Sequence, residues 1–130
     1  MPRSIKEGRL RLPVVRLLLK MVRLVSKTYF DNDLAAANAE ELVLCCAVFV
    51  GHAEGRPMSA TKLADYAGIP RSTTVRKLRA LTERGLVELD SGGLYRLSLD
   101  IVNSDEAVTT AREIRLAIAQ THASVTKMAT

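Results

Sequence analysis

Between Ser59 and Leu97 the hydrophobic pattern is broken into two helical runs and then an alternation, each too short for more than a short element, and glycine and proline punctuate the breaks. Ser59 is a helix-capping residue type, and Leu63, Ala64 and Ala67 follow it at helical spacing. Gly68 supplies a residue that takes the left-handed conformation a tight turn needs, and Ile69 is the apolar residue of that turn. Pro70 opens a second helical pattern over residues 71–84, with Val75, Leu78 and Leu81 on its inward side, and Gly85 ends it. Val87 to Leu89 and Leu94 to Leu97 then alternate apolar and polar around Asp90-Ser91-Gly92-Gly93, the composition of a tight hairpin.

The flanks read as helices. Residues 1–9 are polar, basic and aperiodic, as in a mobile arm. Val14, Leu17, Leu18, Met21, Leu24 and Val25 give a helix over 10–29, with Pro13 as an early helical residue, and Arg16, Lys20, Arg23 and Lys27 share one stripe of it. That stripe is either a solvated face or a phosphate-contacting one. Asp31-Asn32-Asp33 interrupts the run, and Asn38 with Glu41 resembles a capping box for a nearly all-apolar core helix over 38–53. His52 near its end reads as a surface or capping residue. A last helix over 104–122, capped by Asn103 or Ser104, carries Val108, Ala111, Ile114, Arg115 and Ile118.

Charge and cysteine usage narrow the function. The chain has 130 residues, a net charge of +5 and aromatics at only 4%, so its core is built from Leu, Val, Ala and Ile, which suits packed helices. Residues 1–30 hold a net +7 and residues 59–86 a net +4, while 31–58 and 87–130 are net acidic. Two basic blocks favour a polyanionic partner. Cys45 and Cys46 are adjacent in an apolar run, where bridging them would strain the backbone and no further Cys completes a metal cage. They read as small buried hydrophobes in a reducing cytosol, so the expected location is cytoplasmic, with no metal and no cofactor. Arg16, Lys20 and Arg23 break the only N-terminal apolar run, which argues against export and against membrane insertion.

Helix, glycine turn, helix and hairpin is the layout of a winged helix-turn-helix, here mostly α with a small β-hairpin and with additional N- and C-terminal helices. The core Leu63-Ala64-Asp65-Tyr66-Ala67-Gly68-Ile69-Pro70-Arg71-Ser72-Thr73, followed by Leu78-Arg79-Ala80-Leu81-Thr82-Glu83-Arg84-Gly85-Leu86-Val87, resembles the DNA-reading segment of the IclR-like and MarR-like bacterial regulators over roughly residues 40–100. The expected organisation is one winged-helix domain over 10–130, with the helix-turn-helix at 59–86 and the wing at 87–98. The resemblance implies a transcription regulator that binds double-stranded DNA through the second helix of the pair. In IclR-like proteins a large effector domain follows this segment. Here only residues 98–130 follow the hairpin, which is closer to the MarR-like arrangement of terminal helices that pair two subunits, with a small effector of unknown identity near that pairing.

On the expected recognition helix, Ser72, Thr73, Arg76, Lys77 and Ala80 project away from the inward face. Hydroxyls at a helix start suit phosphate oxygens, and Arg76 has the reach and fork for guanine O6 and N7. Arg71, Lys77 and Arg79 are placed for the flanking backbone. Arg96 on the return strand is the nearest cation to an acidic wing tip, which argues against minor-groove readout by the wing. The apolar faces of 10–25 and 107–118 are the candidate homodimer surface. Three other function classes compete with a DNA reader: an enzyme, a protein-interaction adaptor, and a basic amphipathic N-terminal helix that lies on an anionic membrane. An enzyme lacks a nucleophile or carboxylate pattern beside His52 or His122, and a protein-interaction adaptor without base reading would carry a mixed or apolar outer face on residues 71–79.

Overall fold

The computed structural model describes residues 5–30 and 34–129, with side chains at 9, 11–30 and 39–129. The elements run α1 (Ile5–Tyr29), α2 (Leu34–Ala53), α3 (Ala60–Ala67), α4 (Arg71–Glu83), β1 (Val87–Leu89), β2 (Tyr95–Leu97), α5 (Leu99–Val102) and α6 (Asp105–Ala129). Helices dominate and two short strands form one antiparallel hairpin. The chain divides into two compact units: the first holds the two terminal helices, the second residues 33–104.

In the first unit α1 and α6 run antiparallel, since Thr28 shares a hydroxyl–hydroxyl hydrogen bond with Thr110, while Arg9 and Pro13 line one groove with Ser124 and Met128 at the other end. Both helices are longer than their periodicity indicated. α1 begins at Ile5, inside the segment expected to be an arm, and α6 continues to Ala129 instead of fraying near His122. The reason is mutual: the added turns of each helix lie beside the added turns of the other. Pro13 consequently sits in a helix interior, where its missing N–H leaves the carbonyl of Arg9 without the usual partner.

The second unit is built around α2. Its start at Leu34 makes Asn38 an interior residue and not a cap, because the run Leu34-Ala35-Ala36-Ala37 has high helix propensity and carries the helix further back. Asp31-Asn32-Asp33 lies outside the described residues. Leu44, Ala47 and Val48 of α2 are buried, as are Leu63 and Ala64 of α3, Leu78 and Leu81 of α4, and Leu86, Val87 and Tyr95 around the hairpin. Glu41, expected in a capping box, instead lies 3.6 Å from the guanidinium of Arg84, just past the end of α4. The α2 cysteines do not both belong to the core: Cys45 is half-buried and Cys46 exposed. The inward stripe is taken by Leu44, Ala47, Val48 and Gly51, so Cys46 falls on the opposite side. Burial, then the neighbouring Cys46 and Glu41, push the Cys45 thiol up to about 12, which makes it a poor nucleophile at neutral pH.

The hairpin pairs Val87 with Leu97, Glu88 with Arg96 and Leu89 with Tyr95. Its outer edge is covered. The Tyr95 N–H donates to the Met58 carbonyl at 2.9 Å, and the Leu97 N–H donates to Nδ1 of His52 at 3.1 Å. An edge strand with paired donors no longer offers a template for another chain. The four-residue α5 carries too short a period to be visible in the sequence.

Candidate nucleic-acid interface

The turn between α3 and α4 fixes the direction of α4. Ser59 caps α3 by accepting from the Lys62 N–H, and Gly68 ends it at φ 71°, with its own N–H and that of Ile69 donating to the Ala64 carbonyl at 3.0 and 3.1 Å. The Thr74 N–H then closes onto the Pro70 carbonyl at 2.9 Å, which starts α4. Pro70 provides no side-chain cap, so the N–H groups of Arg71, Ser72 and Thr73 at the first turn have no intrahelical carbonyl to bind.

The inward face of α4 is Thr74, Leu78 and Leu81, all fully buried, whereas Val75 is only half-buried. Sequence reasoning favoured Val75 on hydropathy. Thr74 takes the place because its position, one and two turns before Leu78 and Leu81, faces the core, and its hydroxyl points back toward the Ile69 carbonyl at 3.5 Å. This small rotation moves the outer ridge too. Ser72, Arg76 and Arg79 are exposed and stand at i, i+4 and i+7 opposite the buried face, with Arg71 exposed at the helix start. Thr73 and Lys77 are half-buried on one flank. Arg79, expected beside the ridge, is therefore one of its three members.

At the wing, Asp90 holds the turn. Its Oδ1 accepts the Gly92 N–H at 2.8 Å and the Leu94 N–H at 3.0 Å, and its Oδ2 accepts from Nε of Arg96 at 3.3 Å. The Leu94 N–H chiefly, helped by those of Gly92 and Arg96, holds the Asp90 carboxyl below its ordinary value. Arg96 is thus charge-paired within the hairpin. His52 is the residue that sequence reasoning misplaced: it is half-buried and acts as a hydrogen-bond acceptor for β2, an arrangement that requires its neutral form to carry the proton on Nε2. No local pattern links it to a strand 45 residues on.

Residues 52–91 match the family model of the IclR helix-turn-helix domain. The chain carries a winged helix-turn-helix of the IclR kind. No curated protein and no solved structure matches the chain. The matched segment begins at the histidine that anchors the hairpin and ends in the wing turn, so it covers α3, α4 and β1, while β2 lies beyond it. A module of this family marks a DNA-binding transcription regulator. Among the described residues no helix is long and apolar enough to cross a membrane, and no cluster of His, Cys, Asp or Glu is arranged to hold a metal ion.

Proposed function

We propose that the chain is a cytoplasmic, sequence-specific regulator that binds double-stranded DNA as a homodimer, with α4 lying in the major groove. The observation that carries this reading is the exposed ridge of Ser72, Arg76 and Arg79 on the second helix of an IclR-type module. In this arrangement Arg76 reads a guanine edge as a bidentate donor, and Arg79, one turn on, reaches either the next base or its phosphate. Ser72, Thr73 and the unengaged N–H groups of the first turn hold a phosphate, and Arg71 and Lys77 grip the backbone on either side. Arg96, balanced by Asp90, has at most a backbone role. A cationic outer face favours a DNA reader over an adaptor.

A dimer is supported by the first unit. Val14, Val15, Leu18 and Leu19 on α1 and Val108 and Ile118 on α6 are each about half exposed, a density of uncovered aliphatics that an isolated helix pair leaves for a partner. A second copy laid on this face would give a four-helix arrangement and two reading heads for half-sites about 34 Å apart.

The test is binding to the gene's own upstream duplex and to random duplex at several salt concentrations. Preference for the upstream DNA by a factor of about 10³ or more is expected of a specific regulator. Equal affinity for both duplexes would overturn sequence-specific reading.

A further inference from the structure

The stripe of cations on α1 is left unused by the reading above. Arg9, Arg16, Lys20, Arg23 and Lys27 are all exposed, and none of them pairs with an acid among the described residues. At ~100° per residue they fall within about 60° of the helix circumference, and at ~1.5 Å per residue they extend over roughly 27 Å. A face that is merely solvated usually intersperses acids with its bases, yet α1 has no acid after Glu7 and α6 has none after Glu113. The groove beside the stripe joins Arg9, Arg16 and Lys20 to the hydrogen-bonding Gln120 and Ser124 of α6, over an apolar floor that includes Leu17 and Ala117. Val14, Val15, Leu18 and Leu19 line no part of that groove.

We propose that this stripe is a second DNA-contacting surface, which holds the phosphate backbone of a duplex without reading bases; the proposal rests on the chain being a DNA-binding protein. A row of point charges over that length suits regularly spaced phosphates better than a single small anion does. An anionic membrane is the competing partner, since exposed Leu12 and Leu19 flank the stripe, and vesicle binding separates it from a duplex in the experiment below. Tethered to a base-reading module, such a surface raises the local concentration of duplex and strengthens binding to any sequence.

The experiment uses the full chain and compares the wild type with a variant carrying Arg16→Gln, Lys20→Gln and Arg23→Gln. Its charge-matched control carries Arg11→Gln, Arg56→Gln and Arg112→Gln, at exposed positions off the stripe. Three lost phosphate contacts should reduce the slope of log K against log salt by about 2.7 on both random and upstream duplex, at ~0.9 per contact. Affinity at low salt should fall at least tenfold with the specificity ratio intact, and the control should change the slope by less than one. Equal slopes for the two variants would overturn the proposal while leaving the recognition helix's role standing, since Arg76→Ala alone would still lower the ratio. Loss of binding to phosphatidylglycerol vesicles, with duplex binding unchanged, would overturn it in favour of a lipid surface. A wild type that binds no duplex at all would remove both readings together.

Discussion

Arg76 and Arg79 stand on the same line of α4, and their roles separate by substitution. Arg76→Ala should cost about 1–3 kcal/mol on the cognate duplex and much less on random DNA, as expected of a lost bidentate base contact. Lys77→Ala, from the half-buried flank, should weaken both duplexes alike, and anisotropy titrations distinguish the two patterns. At the wing the pH dependence has a definite sign. The folded-state pKa of Asp90 is depressed, so its stabilisation of the turn is present at neutral pH, above the unfolded value, and is lost as pH falls through the folded one. Amide exchange at Gly92 and Leu94 should therefore lose protection in acid, and Asp90→Ala should reproduce that loss at neutral pH. His52→Ala should leave the Leu97 N–H without its acceptor at a cost of about 1 kcal/mol, read as a lower Tm and faster exchange at Leu97. An unaltered Leu97 exchange rate would show that the imidazole does not anchor β2.

At the level of elements, the connection from α2 to the wing is set by one close approach. A Cβ on Gly51 would lie 2.9 Å from the Arg56 carbonyl oxygen and 3.3 Å from Cγ of Met58, and Met58 is the residue that pairs with Tyr95 of β2. Gly51→Ala gains up to ~1 kcal/mol of helix propensity, yet the backbone oxygen has to move, an overpacking cost of about 1–3 kcal/mol. A net fall in Tm, with weakened protection at Tyr95, is the expected result; a raised Tm would mean that the chain after α2 yields freely. The same passage shows why elements were unequally legible. α3 and α4 were visible to within a residue because Ser59, Gly68 and Pro70 act locally. The outer ends of α1 and α6 were not, because each is ordered by the other across the length of the sequence.

For the whole molecule the decisive quantity is the state of assembly. Leu18 is 59% exposed in the single chain, so Leu18→Glu should leave the fold intact while destroying an apolar subunit contact. Sedimentation should report a dimer for the wild type and a monomer for the variant, and affinity for the upstream duplex should fall by at least tenfold as one of two half-site contacts is lost. A monomeric wild type would remove the homodimer from the proposal and leave the reading module in place. The sequence by itself determined the module: capping residues, a glycine turn, a proline start and a hairpin tip are short-range devices whose physics is complete within a few residues, and they also announced the cationic face of α4. Only the tertiary structure decided that Thr74 and not Val75 faces the core, that Arg79 joins the ridge, that His52 supports the wing and that the terminal helices extend as a pair. Each of these depends on the direction in which a distant segment packs, and rotation about a helix axis is fixed by neighbours the local pattern does not contain.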